Sequence, residues 1–245
     1  MKYIYILLSL FILWIFLFGY VLAPNQILPD PSIALISLIS LFKDYHFLGN
    51  IISSITAIYF PLIVAYFLLW TIRIFLINYK KLSGSLALSL KWISGIFPGI
   101  LLGLFFIYWF PDSEVIKYVF MFIISLAFLI VKFEKSIKMV NSEFIDSAIS
   151  LGTGKNVLST RIYWKAVEPL IADSLVDIHF YLWSMIIVFE FIKGGLGLGT
   201  VLRMAMLYKD LAALFTSIII MGLIILISKC IIKFIKNKYF FWSIN

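Results

Sequence analysis

The chain has 245 residues, of which 63% are hydrophobic and 13% charged, and its net charge is +8. Ordinary globular domains carry about 25% charged residues, so this composition excludes a soluble fold and fits one polytopic membrane domain over 1–245. The single cysteine, Cys230, excludes an intrachain disulfide.

A helix needs roughly 20 apolar residues to cross the hydrocarbon core. Six runs qualify, at about 3–23, 51–77, 86–110, 115–131, 170–192 and 211–235, and they predict an all-α protein with about six transmembrane helices. The first run opens after Lys2 and outlasts the apolar region of a signal peptide. It also lacks a good cleavage site, because Val21-Leu22-Ala23 runs straight into Pro24. It is read as a retained span, with an outer interfacial segment reaching to residue 50; the core follows over 51–235. Pro61 and Pro98 fall inside the second and third runs. Each removes a backbone donor, so both positions are expected to kink, as a translocation path or a plain packing bend would require.

Charge sets the expected orientation. Lys2, Arg73, Lys80, Lys81, six cations from Lys132 to Lys165 and four from Lys229 to Lys238 fall on one side, fourteen in all. Five, Lys43, Lys117, Lys193, Arg203 and Lys209, fall on the other. The positive-inside rule places both termini in the cytoplasm. The positive charge is thus an orientation signal and calls for no nucleic acid. Lys91, inside the third run, is expected to snorkel to the cytoplasmic end.

A polar island, Glu134 to Pro169, interrupts the apolar runs. Within it Glu143 to Leu151 predicts a helix, capped by Ser142 or Asn141, with Glu143 and Asp146 in its first turns and Gly152 after its end. Phe144, Ile145, Ala148, Ile149 and Leu151 form an apolar stripe, opposite Glu143, Asp146, Ser147 and Ser150. A second helical stretch is expected from Asn156 to Ala166. Amphipathicity alone allows the first helix to lie in the lipid interface or to fill a groove on a cytoplasmic partner. Gly152-Thr153-Gly154-Lys155 resembles the end of a phosphate-binding loop, but Ile149 and Asn156 stand where Gly and Ser/Thr are needed and no strand precedes it. No nucleotide site, and no enzyme activity, is expected of this chain.

Asp146-Ser147-Ala148, three residues, Gly152, nine residues and Ile162 resemble the loop motif of bacterial ABC importer membrane subunits, Glu-Ala-Ala, three residues, Gly, nine residues, Ile-x-Leu-Pro. Trp164 and Lys165 replace the closing Leu-Pro, and Pro169 matches a second proline four residues on. Pro29-Asp30-Pro31-Ser32, Phe97-Pro98-Gly99, Trp109-Phe110 with Glu114 and Lys117, and Glu190 with Gly195-Leu196-Gly197 resemble further landmarks of the nitrate/sulfonate/taurine-type permeases. The resemblance implies an inner-membrane permease that pairs with a second permease subunit, identical or paralogous. It also implies an ABC ATPase dimer that receives the island helix and an extracytoplasmic substrate-binding protein. Glu143, Phe144, Asp146, Ser147, Ala148, Leu151, Gly152, Ile162 and Pro169 would then couple to the ATPase. Serine at position 147 and lysine at 165 depart from the motif and put the coupling geometry in question.

The path residues are fainter: Pro98, Glu190, Gly195 and Gly197. Glu190 is either an intramembrane functional acid or a packing group that closes a tight outer turn near Gly194 and Gly195. Asp173 and Asp177, one turn apart, are expected to line a wet cavity or pair with cations, with His179 facing elsewhere. His46 has no ligand cluster around it, so no metal site, cofactor or catalytic residue is expected. Aromatics near span ends suit a lipid-interface belt. The alternative is a secondary transporter, or another membrane protein without an ATPase; the first would show repeated broken helices with charged midplane sites, and no repeat is evident. An intramembrane protease would need an activated nucleophile, and no G-x-S-x-G occurs.

Overall fold

The structure is a computed structural model that describes residues 2–21, 31–154 and 157–240. In lipid every backbone donor and acceptor must be satisfied within the chain, and helices do this locally. The described residues are accordingly mostly helical, joined by short turns and without a strand. In chain order they are α1 (Lys2–Phe16, continued by a π-helix Leu17–Val21), α2 (Pro31–Asp44), α3 (Phe47–Asn78), α4 (Lys80–Ile96), α5 (Gly99–Trp109) and α6 (Ile116–Met139). There follow α7 (Ser142–Ser150), a π-helix Leu158–Tyr163 that leads into α8 (Trp164–Lys193), α9 (Leu198–Leu207) and α10 (Leu211–Tyr239).

The all-α polytopic architecture agrees with the expectation, and the described residues supply four to five of the expected spans. Among the described residues, four helices are long and apolar enough to cross: α3, α6, the continuous Thr160–Lys193 and α10. The pair α4 and α5 makes a fifth only if counted as one span bent by 79°. The first run is α-helical over 15 residues, Lys2–Phe16, and continues as a five-residue π-helix to Val21, where the described stretch ends.

The two prolines behave differently. Pro98 separates α4 from α5: Phe97 is extended and its N–H returns to Ile93 O. Pro61 sits inside α3, which continues past it without a break. Two helices went unpredicted, α2 in the outer segment and α9 after the fifth run; both are short, and α9 falls between long apolar runs. Pro29 and Asp30 lie outside the described residues.

The chain divides into two compact units, each considered by itself. The first comprises Met1–Ser54 and Glu190–Ile224. Buried hydroxyls staple it: Ser37 Oγ donates to Ala34 O at 2.8 Å and meets Thr216 Oγ1 at 2.7 Å. Asp210 caps α10 by accepting from Ala213 N at 2.9 Å and takes the Tyr45 hydroxyl at 3.2 Å. Burial first, and then the Asp210 carboxylate, push the Tyr45 phenol up to about 12.

The second unit comprises Ile55–Phe189 and Ile225–Asn245. Here α4 and α5 pack on α6, and Gly103 admits the rings of Phe120 and Phe189, which stack at 4.8 Å. His179 is fully buried: its Nε2 donates to Ile225 O at 3.0 Å, which leaves Nδ1 to accept from the Tyr59 hydroxyl at 3.1 Å. Asp177 pairs with Lys132 at 3.7 Å, and Asp173 pairs with Lys236. The two acids therefore pair with separate cations, one of the two expected outcomes, while His179 makes its own contacts.

Candidate functional site

The island helix α7 is set by its two ends. Val140 and Asn141 leave the helical region with extended backbone. The Asn141 carboxamide oxygen then accepts from Glu143 N at 2.9 Å, a side-chain N-cap, and Glu143 puts negative charge by the positive end of the dipole. At the other end Gly152 has φ +75°. Gly152 N donates to Ile149 O at 2.9 Å and Thr153 N to Ala148 O at 3.2 Å. That pair of bonds is a Schellman termination, and its left-handed residue explains why a glycine stands there. The predicted cap, helix range and turn thus agree with the structure to within a residue.

The apolar stripe does not act as one face. Ile145 and Ala148 are 8% and 9% exposed, whereas Ile149 and Leu151 are 53% and 86% exposed. Helix α7 packs against the π-helix Leu158–Tyr163, so the inner half of the stripe is used within the chain. The outward surface combines Ile149 and Leu151 with Glu143, Asp146 and Ser147, all exposed. The side chain of Phe144 lies outside the described ones. An open groove of about 1100 Å³ borders α7, lined among others by Lys80, Lys81, Glu134, Lys138, Asp146 and Ile149. Lys138 and Glu134 pair across one turn at 3.0 Å.

The expected second stretch is corrected too. Asn156 lies outside the described residues, and the helix that follows does not stop near Ala166 but continues through Pro169 to Lys193. Ile162 belongs to its π-helical start, half-buried, and Pro169 is buried within α8. Neither residue closes a separate loop.

The other candidates form a second constellation. Glu190, 1% exposed, accepts from Ser54 Oγ at 2.7 and 2.9 Å and from Gly199 N at 3.1 Å. Its carboxylate thus sits at the N-terminus of α9, where the helix dipole favours negative charge. Ser54 Oγ in turn accepts from Leu198 N at 2.8 Å, and Asn50 Oδ1 from Gly197 N at 2.7 Å. Gly197 has φ +148°, and a Cβ there would collide with the Glu190 carboxyl group. Gly194 and Gly195 have φ +79° and +90°. This geometry matches the turn-closing alternative for Glu190. Pro98 is exposed at the α4–α5 break. Sequence reasoning missed Asn50 and Ser54, although two polar residues one turn apart in an apolar run were a usable signal.

Residues 78–240 match the family model for the binding-protein-dependent transport system inner membrane component. No curated protein and no solved structure matches the chain. The matched stretch runs from the end of α3 past the end of α10 and includes α7 with its glycine turn, so this membrane-embedded helical chain belongs to the family of binding-protein-dependent transport system inner membrane components.

Proposed function

We propose that this permease couples to a separate ABC ATPase through α7 and imports a small solute delivered by an external binding protein. Family membership gives the coarser part: a non-catalytic membrane component of binding-protein-dependent transport, which implies an ATPase and a binding protein as associates. The observation that carries the finer part is the free face of α7. A nine-residue helix, capped at Asn141 and terminated at Gly152, leaves Asp146, Ser147, Ile149 and Leu151 exposed beside an open groove. Two large exposed apolar side chains next to an acid and a hydroxyl suit helix-in-groove recognition. Ala148 supports this face from within, Ile162 and Pro169 brace the return into α8, and both chain termini share the cytoplasmic side with α7.

The landmarks Phe97-Pro98-Gly99 and Glu190 with Gly195-Leu196-Gly197 support the nitrate/sulfonate/taurine group, whose solutes are small anions and heterocycles. In this reading Pro98 lies on the translocation path, while Glu190, Gly195 and Gly197 shape the outer turn. A second permease subunit completes the path. A secondary-transport reading has no observation in its favour.

Co-expression with the cognate ATPase is expected to yield a stable complex, and Gly152→Val to leave the permease folded but abolish transport. Wild-type transport by that variant, or a permease from native membranes with no ATPase bound, would sink the reading. The ligand that co-purifies with the cognate binding protein identifies the solute.

A further inference from the structure

Trp164 stands at the joint between the island and the spans. It is the first residue of α8, immediately after the π-helix against which α7 packs, and it is 5% exposed. Its ring centroid lies 6.4 Å from that of Tyr66 and 6.3 Å from that of Phe133. The Arg73 guanidinium lies 5.2 Å above the Trp164 ring and 4.3 Å above the Trp70 ring. Arg73 also donates through Nη1 to Trp70 O, while its Nε is buried without a hydrogen-bond partner. No carboxylate among the described residues pairs with this cation. It lies instead over two ring faces, a setting that suits a planar, weakly hydrated guanidinium, which stacks on aromatic faces, better than a compact ammonium.

That placement has a mechanical consequence. Helix α7 is tied to the spans on one side through Val140 to α6, and on the other through the Gly152 turn and the π-helix to α8. A π-helical stretch is an irregular winding, so a displacement of α7 can be absorbed there unless its far end is fixed. Trp164 fixes that end to α3 through Tyr66 and Arg73, and to α6 through Phe133. We propose that Trp164 and Arg73 form an aromatic–cation clamp that passes rigid-body motion of α7 into α3, α6 and α8. This rests on the reading that α7 docks on the ATPase, and it assigns both as positioning residues. Packed elements held in this way switch between discrete arrangements instead of deforming gradually.

The test uses the permease–ATPase complex in nanodiscs, with Cys230 replaced by serine and spin labels at Ser150→Cys on α7, which is exposed but outside the proposed docking residues, and Val119→Cys on α6. With the clamp intact, the label-to-label distance is expected to stay a single narrow population with and without ADP–vanadate. In Trp164→Ala, and in Arg73→Lys, which keeps the charge and loses the planar stack, it is expected to shift or broaden on trapping while the ATPase stays bound. Trp164→Phe is expected to restore much of the narrow population. An unchanged distribution in both clamp variants overturns the proposal, and so does loss of the ATPase from them, which would make Trp164 part of docking. Failure of the wild-type complex to retain any ATPase overturns the underlying reading instead.

Discussion

Gly152 and Gly197 are both glycines by necessity, but for different reasons, and the difference can be measured. At Gly152 nothing lies within 4 Å of the place a Cβ would occupy, so space is free and the left-handed φ of +75° is the whole constraint. A residue with a Cβ costs about 1–2 kcal/mol there, and asparagine is the best tolerated. Gly152→Asn should therefore keep ATPase retention close to wild type, whereas Gly152→Val should lose it, as read by pull-down of the complex. At Gly197 the obstacle is the Glu190 carboxyl group. Gly197→Ala is expected to destabilise by about 1–3 kcal/mol through overpacking. Glu190→Ala alone should cost about 1.5–3 kcal/mol, because Ser54 and Gly199 lose a charged acceptor. The double variant should be more stable than the sum of the two single losses implies, because Glu190→Ala vacates the space the new methyl needs. Thermal unfolding midpoints in one detergent would show this, and strict additivity would refute the clash.

Nine residues are too few to hold a helix in water unaided, so α7 depends on its ends. Asn141→Ala removes the cap to Glu143 N, at about 1 kcal/mol, and should weaken ATPase retention several-fold without touching the exposed face. An unchanged affinity would mean that the partner, not the cap, orders the helix. This element was the most legible in the sequence because its determinants are local: a capping residue, an early acid and a terminal glycine. Long apolar runs were legible for the same reason, since α3, α6, α8 and α10 are each a single stretch of composition. The rest failed where the cause was tertiary. A proline announces a lost hydrogen bond, but whether the helix breaks, as at Pro98, or continues, as at Pro61 and Pro169, depends on the surroundings of that turn. The inward burial of Ile145 and Ala148 needed the position of the π-helix. The setting of Trp164 needed α3 and α6, far away in the chain, although a lone arginine near the end of an apolar run was a hint.

At the scale of the whole molecule the asymmetry of charge makes the decisive claim. Fourteen cations against five predict one orientation, and the proposed function requires it, because α7 can meet an ATPase only in the cytoplasm. The two sides carry exposed reporters: Leu151 at 86% on the α7 turn, and Tyr108 at 83% near the end of α5. In a Cys230→Ser background, Leu151→Cys should react with a membrane-impermeant maleimide in inverted vesicles and not in intact cells. Tyr108→Cys should do the reverse. Binding of the ATPase should protect the first position and leave the second unchanged, which separates orientation from docking. If Leu151→Cys labels from outside the cell, the charge argument and the coupling role fall together, since a helix facing away from the nucleotide pool has no ATPase to meet. If it labels from inside but is never protected, the orientation stands and α7 returns to the lipid interface, the other place where its amphipathic face fits.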